Sequence, residues 1–220
     1  MRSVFALGAA TLLFVVIHGA ALRGLADLAY FPARSVLDAW DRQGVAPTPA
    51  RWVAARVALI EARRLEPDNP LFVEETGRLY EKRVADVDPA QPVARSYLEP
   101  ALAEFRLATK MRPASPFAWI NIALVKFRLG ALDGEFHAAV ENAARLGPWE
   151  PGVQRTLADI GFAGWGALPE PARSAIAGAI ERGLQSQPKE IERLAKIENR
   201  AVVFCADPPS GGARRLCARP

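Results

Sequence analysis

The sequence predicts an all-α chain: one apolar N-terminal helix, then a short degenerate stack of about three to four helical hairpins. Three observations predict this. Residues 4–22 carry no formal charge and include Phe5, Leu12, Leu13, Phe14, Val15, Val16 and Ile17. Prolines open helices at Pro49, Pro70 and Pro116, each behind a capping residue (Thr48, Asn69, Ser115), and prolines close them at Pro67, Pro113, Pro148 and Pro188. Between these marks, small and large apolar residues recur at helical spacing.

The apolar run comes first. As a helix it is close to the length needed to cross a bilayer core. Arg2 and the amino terminus make its leading side positive, which keeps that side in the cytoplasm. A cleaved signal peptide would use the shorter core 4–17 and a small-residue site near Gly19, Ala20 and Ala21. An uncleaved anchor would use the whole run, and is favoured because the apolar stretch continues to Leu22. Either way the remainder is exported. His18 reads as a tolerated polar residue near the far interface.

Residues 23–48 form a linker helix. Phe31 and Pro32 break or re-aim it, Val36, Leu37 and Trp40 share a side, and Gly44 ends it. Residues 49–188 hold the repeated hairpins. Trp52, Leu59 and Ile60, with small Ala55, Ala58 and Ala62, make up the first helix there. The four closing prolines lie about 35 to 46 residues apart, the period of a two-helix solenoid unit. Gly77, Ala108, Ala123 and Ala143 would let helix axes approach, with Phe72, Tyr80, Phe105 and Trp119 filling the gaps beside them. One hairpin cannot bury its apolar face alone, so neighbours must stack. Residues 189–200 read as a capping helix with Ile191, Leu194 and Ile197 on its apolar side, and 201–204 as a brief extended segment.

The middle of this pattern resembles the tetratricopeptide repeat. Trp119, Ile122, Ala123, Val140, Ala143 and Pro148 match that family's motif, as do Val73, Gly77, Tyr80, Ala101, Phe105, Ala108 and Pro113. Two departures stand out. Lys126 replaces the usual aromatic, and about 12 extra residues, near 83–94, imply a longer loop inside the Pro70 repeat. Residues 55–67 resemble an orphan second helix, and 157–188 a degenerate last repeat. The layout of anchor, short array and two-cysteine tail is also similar to small accessory proteins of exopolysaccharide biosynthesis, such as the VpsP-like proteins.

The tail, 201–220, contains Cys205 and Cys217 on either side of Pro208, Pro209, Gly211 and Gly212. With no other cysteine and no nearby histidine, a four-ligand zinc site cannot be assembled locally. A disulfide in an oxidising compartment is the simple reading, and on the chain-entropy model closing that loop contributes roughly 3 kcal/mol.

Catalytic patterns are missing. His137 stands on a helix with only Asp133 and Glu141 a turn away. Glu74 and Glu75 are adjacent and face different ways, Asp86 and Asp88 fall in the expected loop, and Gly211 and Gly212 are not a phosphate loop. No catalytic, cofactor-binding or metal residue is assigned, and no cofactor is expected. Net charge is +4, and acidic residues interleave with basic ones throughout, which argues against a nucleic-acid face. Gly161, Gly164 and Gly166 around Trp165 read as a loose inter-helix break.

The tetratricopeptide resemblance implies a partner groove lined by first helices. Its positions here are Glu74, Arg78 and Glu81, then Ile120, Leu124, Phe127 and Arg128, then Arg155 and Asp159. This groove is charged at one end and apolar in the middle, suited to an extended peptide or a partner helix. The expected function is a non-catalytic scaffold on the inner membrane of a bacterium, single-pass, with its C-terminal domain in the periplasm. It would hold a protein partner of a polysaccharide or secretion assembly. The alternatives are an envelope protein that binds or acts on glycan, with Trp149 and Trp165 as loop-borne platforms while Trp52 and Trp119 serve the core, or a cytosolic regulator if the anchor is misread.

Overall fold

The computed structural model describes residues 2–197, 204–207 and 211–217. Among these the chain is helical throughout, with no strand. Its helices are α1 (Arg2–Gln43), α2 (Pro49–Leu65), α3 (Pro70–Arg83), α4 (Pro92–Met111), α5 (Pro116–Arg128), α6 (Gly134–Leu146), α7 (Pro151–Gly164), α8 (Glu170–Ser186) and α9 (Pro188–Ala195). Short 3-10 turns occupy Trp165–Ala167 and Gly212–Cys217. The chain divides into two compact units, Met1–Arg83 and Val84–Pro220. That division falls inside the Pro70 repeat drawn from the sequence, between its two helices.

The first unit is built on α1. Ala26, Tyr30, Ala33, Leu37 and Trp40 are buried at alternating spacings of four and three residues, a single stripe along the helix. The stripe packs on Trp52, Ala55, Ala58, Leu59 and Ala62 of α2 and on Phe72 of α3, whose ring lies 5.3 Å from Tyr30. The expected break at Pro32 does not occur, and α1 runs through it. Proline removes the donor to the carbonyl of Leu28 and costs about 3 kcal/mol or more inside a helix. Here both Leu28 and Pro32 lie on the exposed side, and buried neighbours on either side of Pro32 hold the helix straight through it. The helix ends where the sequence placed its end: Gly44 takes φ +67° and its N–H donates to the Trp40 carbonyl.

α2 starts as read, with the Thr48 hydroxyl accepting from the Arg51 N–H. Asn69 Oδ1 likewise accepts from the Leu71 N–H at the start of α3. Ile60 is not in the core; it faces outward with Val53 and Val57. Trp52 is buried, and its indole N–H donates to the Leu79 carbonyl at 3.1 Å.

In the second unit the extra residues near 83–94 make less loop than the sequence implied, because α4 begins at Pro92. Pro100 sits inside α4 on its exposed side, where its missing N–H is tolerated as at Pro32. Ser115 stands at the cap position of α5 without a side-chain bond, whereas Asp133 caps α6 by accepting from the Glu135 and Phe136 N–H groups. Ala108, Ala123 and Ala143 are buried as expected, as is Phe105, while Trp119 is half-buried and donates to the Pro113 carbonyl.

The expected loose break around Trp165 is instead tightly packed. Gly161 and Gly164 lie within α7, and the Trp165 ring is buried. A Cβ at Gly161 would lie 2.6 Å from Ile176 Cγ2, and one at Gly164 would meet the Phe127 ring. Glycine is needed at both for close helix approach, not for mobility. Phe204 is fully buried, with its ring 5.1 Å from Phe162 and 4.8 Å from Trp165, and the Trp165 N–H donates to the Asp207 carbonyl. Cys205 and Cys217 are disulfide-bonded, with a Cα–Cα separation of 5.4 Å. The capping helix is seen as α9, with Ile191 and Leu194 buried. It ends at Ala195, short of the expected Ile197, while 198–200 and most of the extended segment 201–204 lie outside the described residues.

The close approach at α7 and α8 gives a stability prediction. Gly161→Ala forces a methyl against the buried Ile176, and the expected cost is about 1–3 kcal/mol despite alanine's better helix propensity. Gly178→Ala on α8 meets only the flexible end of Arg182 and should be neutral or mildly stabilising. Urea midpoints of the two detergent-solubilised variants against wild type check the contrast.

Candidate partner-binding surfaces

Each unit carries a network of charges that links its helices, and the predicted groove residues are best located against these. In the first unit, Asp41 near the end of α1 meets two cations from α3. Arg78 Nη2 lies 2.7 Å from one carboxylate oxygen and Lys82 Nζ 2.6 Å from the other. Arg78 Nη1 also reaches Glu75 at 2.8 Å, and the Lys82 ammonium lies 5.5 Å from the centre of the Trp40 ring. Burial by itself would raise the Asp41 pKa, but the Lys82 hydrogen bond and the Arg78 charge outweigh it and hold the carboxyl low. At the more deeply buried Glu75 burial wins, and the carboxyl is raised against the opposing pull of Arg78.

In the second unit the centre is Lys126. Its side chain is only 4% exposed, yet its ammonium donates to Asp133 at 2.7 Å and to Glu135 at 2.8 Å. Glu135 in turn receives a two-pronged bond from Arg106 on α4, at 2.7 and 2.6 Å. One carboxylate therefore ties α4, α5 and α6 together. The Arg106 hydrogen bond, with that of Lys126, brings Glu135 down to about 2. Burial works to lower the Lys126 pKa, but its two acidic partners outweigh this and hold the ammonium charged.

The predicted groove residues divide by role. In the first unit, Arg78 belongs to the Asp41 network, with Glu74 and Glu81 half-buried on the same helix. In the second, Ile120 is a buried core residue. Phe127 backs onto Gly164, and Arg128 donates to the Val84 and Ala85 carbonyls, pinning the segment before α4. Leu124 is half-buried. Arg155 is exposed and Asp159 half-buried on α7, and both act on α9: Glu190 is held low by its Arg193 hydrogen bond first and by the Arg155 charge as well. Arg193 is raised mainly by Glu190, with Asp159 contributing.

Of the two loop-borne tryptophans, Trp165 is buried and unavailable as a sugar platform, while Trp149 is 58% exposed. His137 is half-buried, and its Nε2 has no hydrogen-bond partner. Among the described residues no group of three or more His, Cys, Asp and Glu is arranged to hold a metal ion. The sequence reading missed Asp41, Glu75, Arg106, Lys126 and Glu135. Lys126 alone left a signal, as the position where the repeat family carries an aromatic. No protein-family model matches the chain, and no curated protein matches it.

The Lys126 network sets the acid behaviour. Glu135 binds fewer protons folded than unfolded between about pH 2 and 4.5, so its contribution is complete above 4.5 and is lost as pH falls toward 2. After allowance for solvent screening at this partly exposed group, about 1–2 kcal/mol is at stake. Glu135→Gln should lower stability at pH 7 and flatten the acid limb, as read by denaturant unfolding from pH 2 to 7. Lys126→Met, losing two charge-assisted bonds, should cost about 1.5–3 kcal/mol at pH 7.

Proposed function

We propose that the protein is a non-catalytic helical scaffold, anchored in a bacterial inner membrane by the first half of α1, that holds a protein partner on the exported side. The observation that carries this reading is the contrast within one helix. From Leu7 to Ile17 the large apolar side chains of α1 are 58% to 72% exposed, while from Ala26 onward the same helix supplies the core of a folded unit. Water would not tolerate the first part, whereas a bilayer is its natural solvent. The helix is long and apolar enough to cross one. The disulfide between Cys205 and Cys217 supports an oxidising compartment for the other end of the chain.

The tetratricopeptide likeness of the hairpins supports peptide or helix binding as the task of the exported part. Leu124, Arg155 and Asp159 are the predicted positions on the second unit that would contact the partner. A polysaccharide or secretion assembly is the partner class implied by the chain's layout. Glycan binding has less support, since it rests on the single exposed ring of Trp149.

Four measurements test the reading together. The full chain should remain in the membrane fraction after alkaline carbonate extraction. A phosphatase fused after Pro220 should be active only as an exported reporter, and Cys205 and Cys217 should resist a thiol reagent until reduced. A photo-crosslinking residue at Arg155 in intact cells should capture a discrete envelope protein. A soluble chain or a cytoplasmic reporter would end the anchored-scaffold proposal, and a correctly exported chain whose only crosslinks are to glycan would replace the protein partner with a polysaccharide.

A further inference from the structure

The apolar surface of α1 does not stop at the last residue of the candidate span. Beyond Leu22 come Arg23, Asp27, Arg34 and Asp38, which would ordinarily mark the start of a water-exposed helix. At about 100° per residue these four charges fall together on one flank. Opposite the buried stripe of Ala26, Tyr30, Ala33 and Leu37 lie Leu25, Leu28 and Phe31, which are 51%, 72% and 66% exposed. Gly24 and Pro32 lie on the same face, which carries no charge between residues 23 and 39. The charges have other commitments: Arg23 lies 3.5 Å from Glu66 at the end of α2, and Arg34 lies 3.7 Å from Asp38. Helix α1 past Leu22 therefore has three faces, one packed on its own unit, one charged, and one apolar that no residue of the first unit covers.

We infer that the apolar face of residues 24–32 lies on the bilayer, so that the first unit rests against the membrane with α1 beneath α2 and α3. This rests on the anchored reading above, and deepens it by giving the folded unit an orientation. Continuity identifies the occupant. The same unbroken helix presents apolar side chains to lipid up to Leu22, and the face in question extends that surface without a gap. The lengths agree. At about 1.5 Å per residue, residues 4–31 span about 42 Å along the axis, against about 40–45 Å for a bilayer with its headgroup regions. A tilt in the ordinary range lowers Phe31 further into the interface. Pro32 sets the upper limit. The Leu28 carbonyl, deprived of its helical donor, needs water, which the headgroup layer supplies and the hydrocarbon does not. Tilting toward this face carries Asp27 and Arg34 away from lipid.

The test uses the full chain in vesicles of phosphatidylethanolamine and phosphatidylglycerol. Single cysteines are labelled with an environment-sensitive fluorophore, the native pair being closed as a disulfide. The sites are Leu25→Cys, Leu28→Cys and Phe31→Cys on the apolar face, Asp27→Cys and Arg34→Cys on the charged flank, and Leu12→Cys in the span. All but Leu12 lie within about three helical turns, so the comparison reads which face is turned to lipid rather than position along the axis. The expected result is several-fold stronger quenching by shallow spin-labelled lipid at Leu25, Leu28 and Phe31 than at Asp27 and Arg34, with the order reversed for aqueous iodide. Quenching by lipid at Leu12 but by iodide at all three apolar-face sites overturns this inference and leaves the anchor standing. Loss of lipid quenching at Leu12 as well overturns the anchor itself. Exclusion of both quenchers at Leu28, with Leu28→Cys chains crosslinking to one another, assigns the face to a second copy and also overturns the inference. Unchanged helicity of each labelled chain shows that the outcome reports position and not unfolding, and three independent apolar sites guard against the failure of one.

Discussion

Most of the first unit depends on one helix that runs without a break from an exposed apolar end into the core of a folded unit. Ala26, Tyr30, Ala33, Leu37 and Trp40 of α1 are the surface on which α2 and α3 pack. From Leu7 to Ile17 the large apolar side chains are exposed. A joint between the two halves would let the folded unit swing. An unbroken helix holds the exposed apolar end and the folded unit in one orientation. That is why the tolerance of Pro32 matters more than its local cost. The proline sits on the one side where a lost backbone bond can be met by solvent, and the buried stripe on the other side keeps the axis continuous.

The charge networks do a related job between helices. Apolar stripes of alanine and leucine define which faces meet, but they resist a slip of one turn only weakly. Asp41 with Arg78 and Lys82, and Glu135 with Arg106 and Lys126, each link helices at a single register. Such buried or half-buried pairs add little net stability over an apolar packing, because both partners lose water. Their effect is on specificity. A slipped hairpin would leave Lys126 buried without its carboxylates, which is far more costly than a missing contact between methyl groups.

What could be read from the sequence was what local chemistry decides. Thr48 and Asn69 cap where they stand, Gly44 ends α1, and Trp52 is core, because each depends on neighbours a few residues away or on bulk hydrophobicity. The all-helical class followed from the same signals. The misreadings share a cause. Pro32 looks like a break, and only the side of the helix it occupies shows that it is not. Gly161, Gly164 and Trp165 look like a loose loop, yet Ile176, Phe127 and Phe204, distant in sequence, make them a packed joint. For the predicted surface the limit was similar. Arg78, Ile120 and Arg128 occupy positions that a helical wheel turns outward, and only the tertiary partners, Asp41 and the Val84 carbonyl among them, show what they hold.

The tail closes over an aromatic surface of the second unit. Helices α7 and α8 present Phe162, Trp165 and the edge of α8, an apolar surface that needs cover. Here Phe204 fills that place, Asp207 accepts from the Trp165 indole and pairs with Arg173 at 2.9 Å, and Ala213 is fully buried. So short a segment brings few apolar side chains to offset the entropy of ordering it. A covalent loop from Cys205 to Cys217 reduces that entropy before any contact forms. The disulfide therefore belongs with the aromatic cap as one device. It lets about a dozen residues cover that aromatic surface, and it does so only where thiols are oxidised.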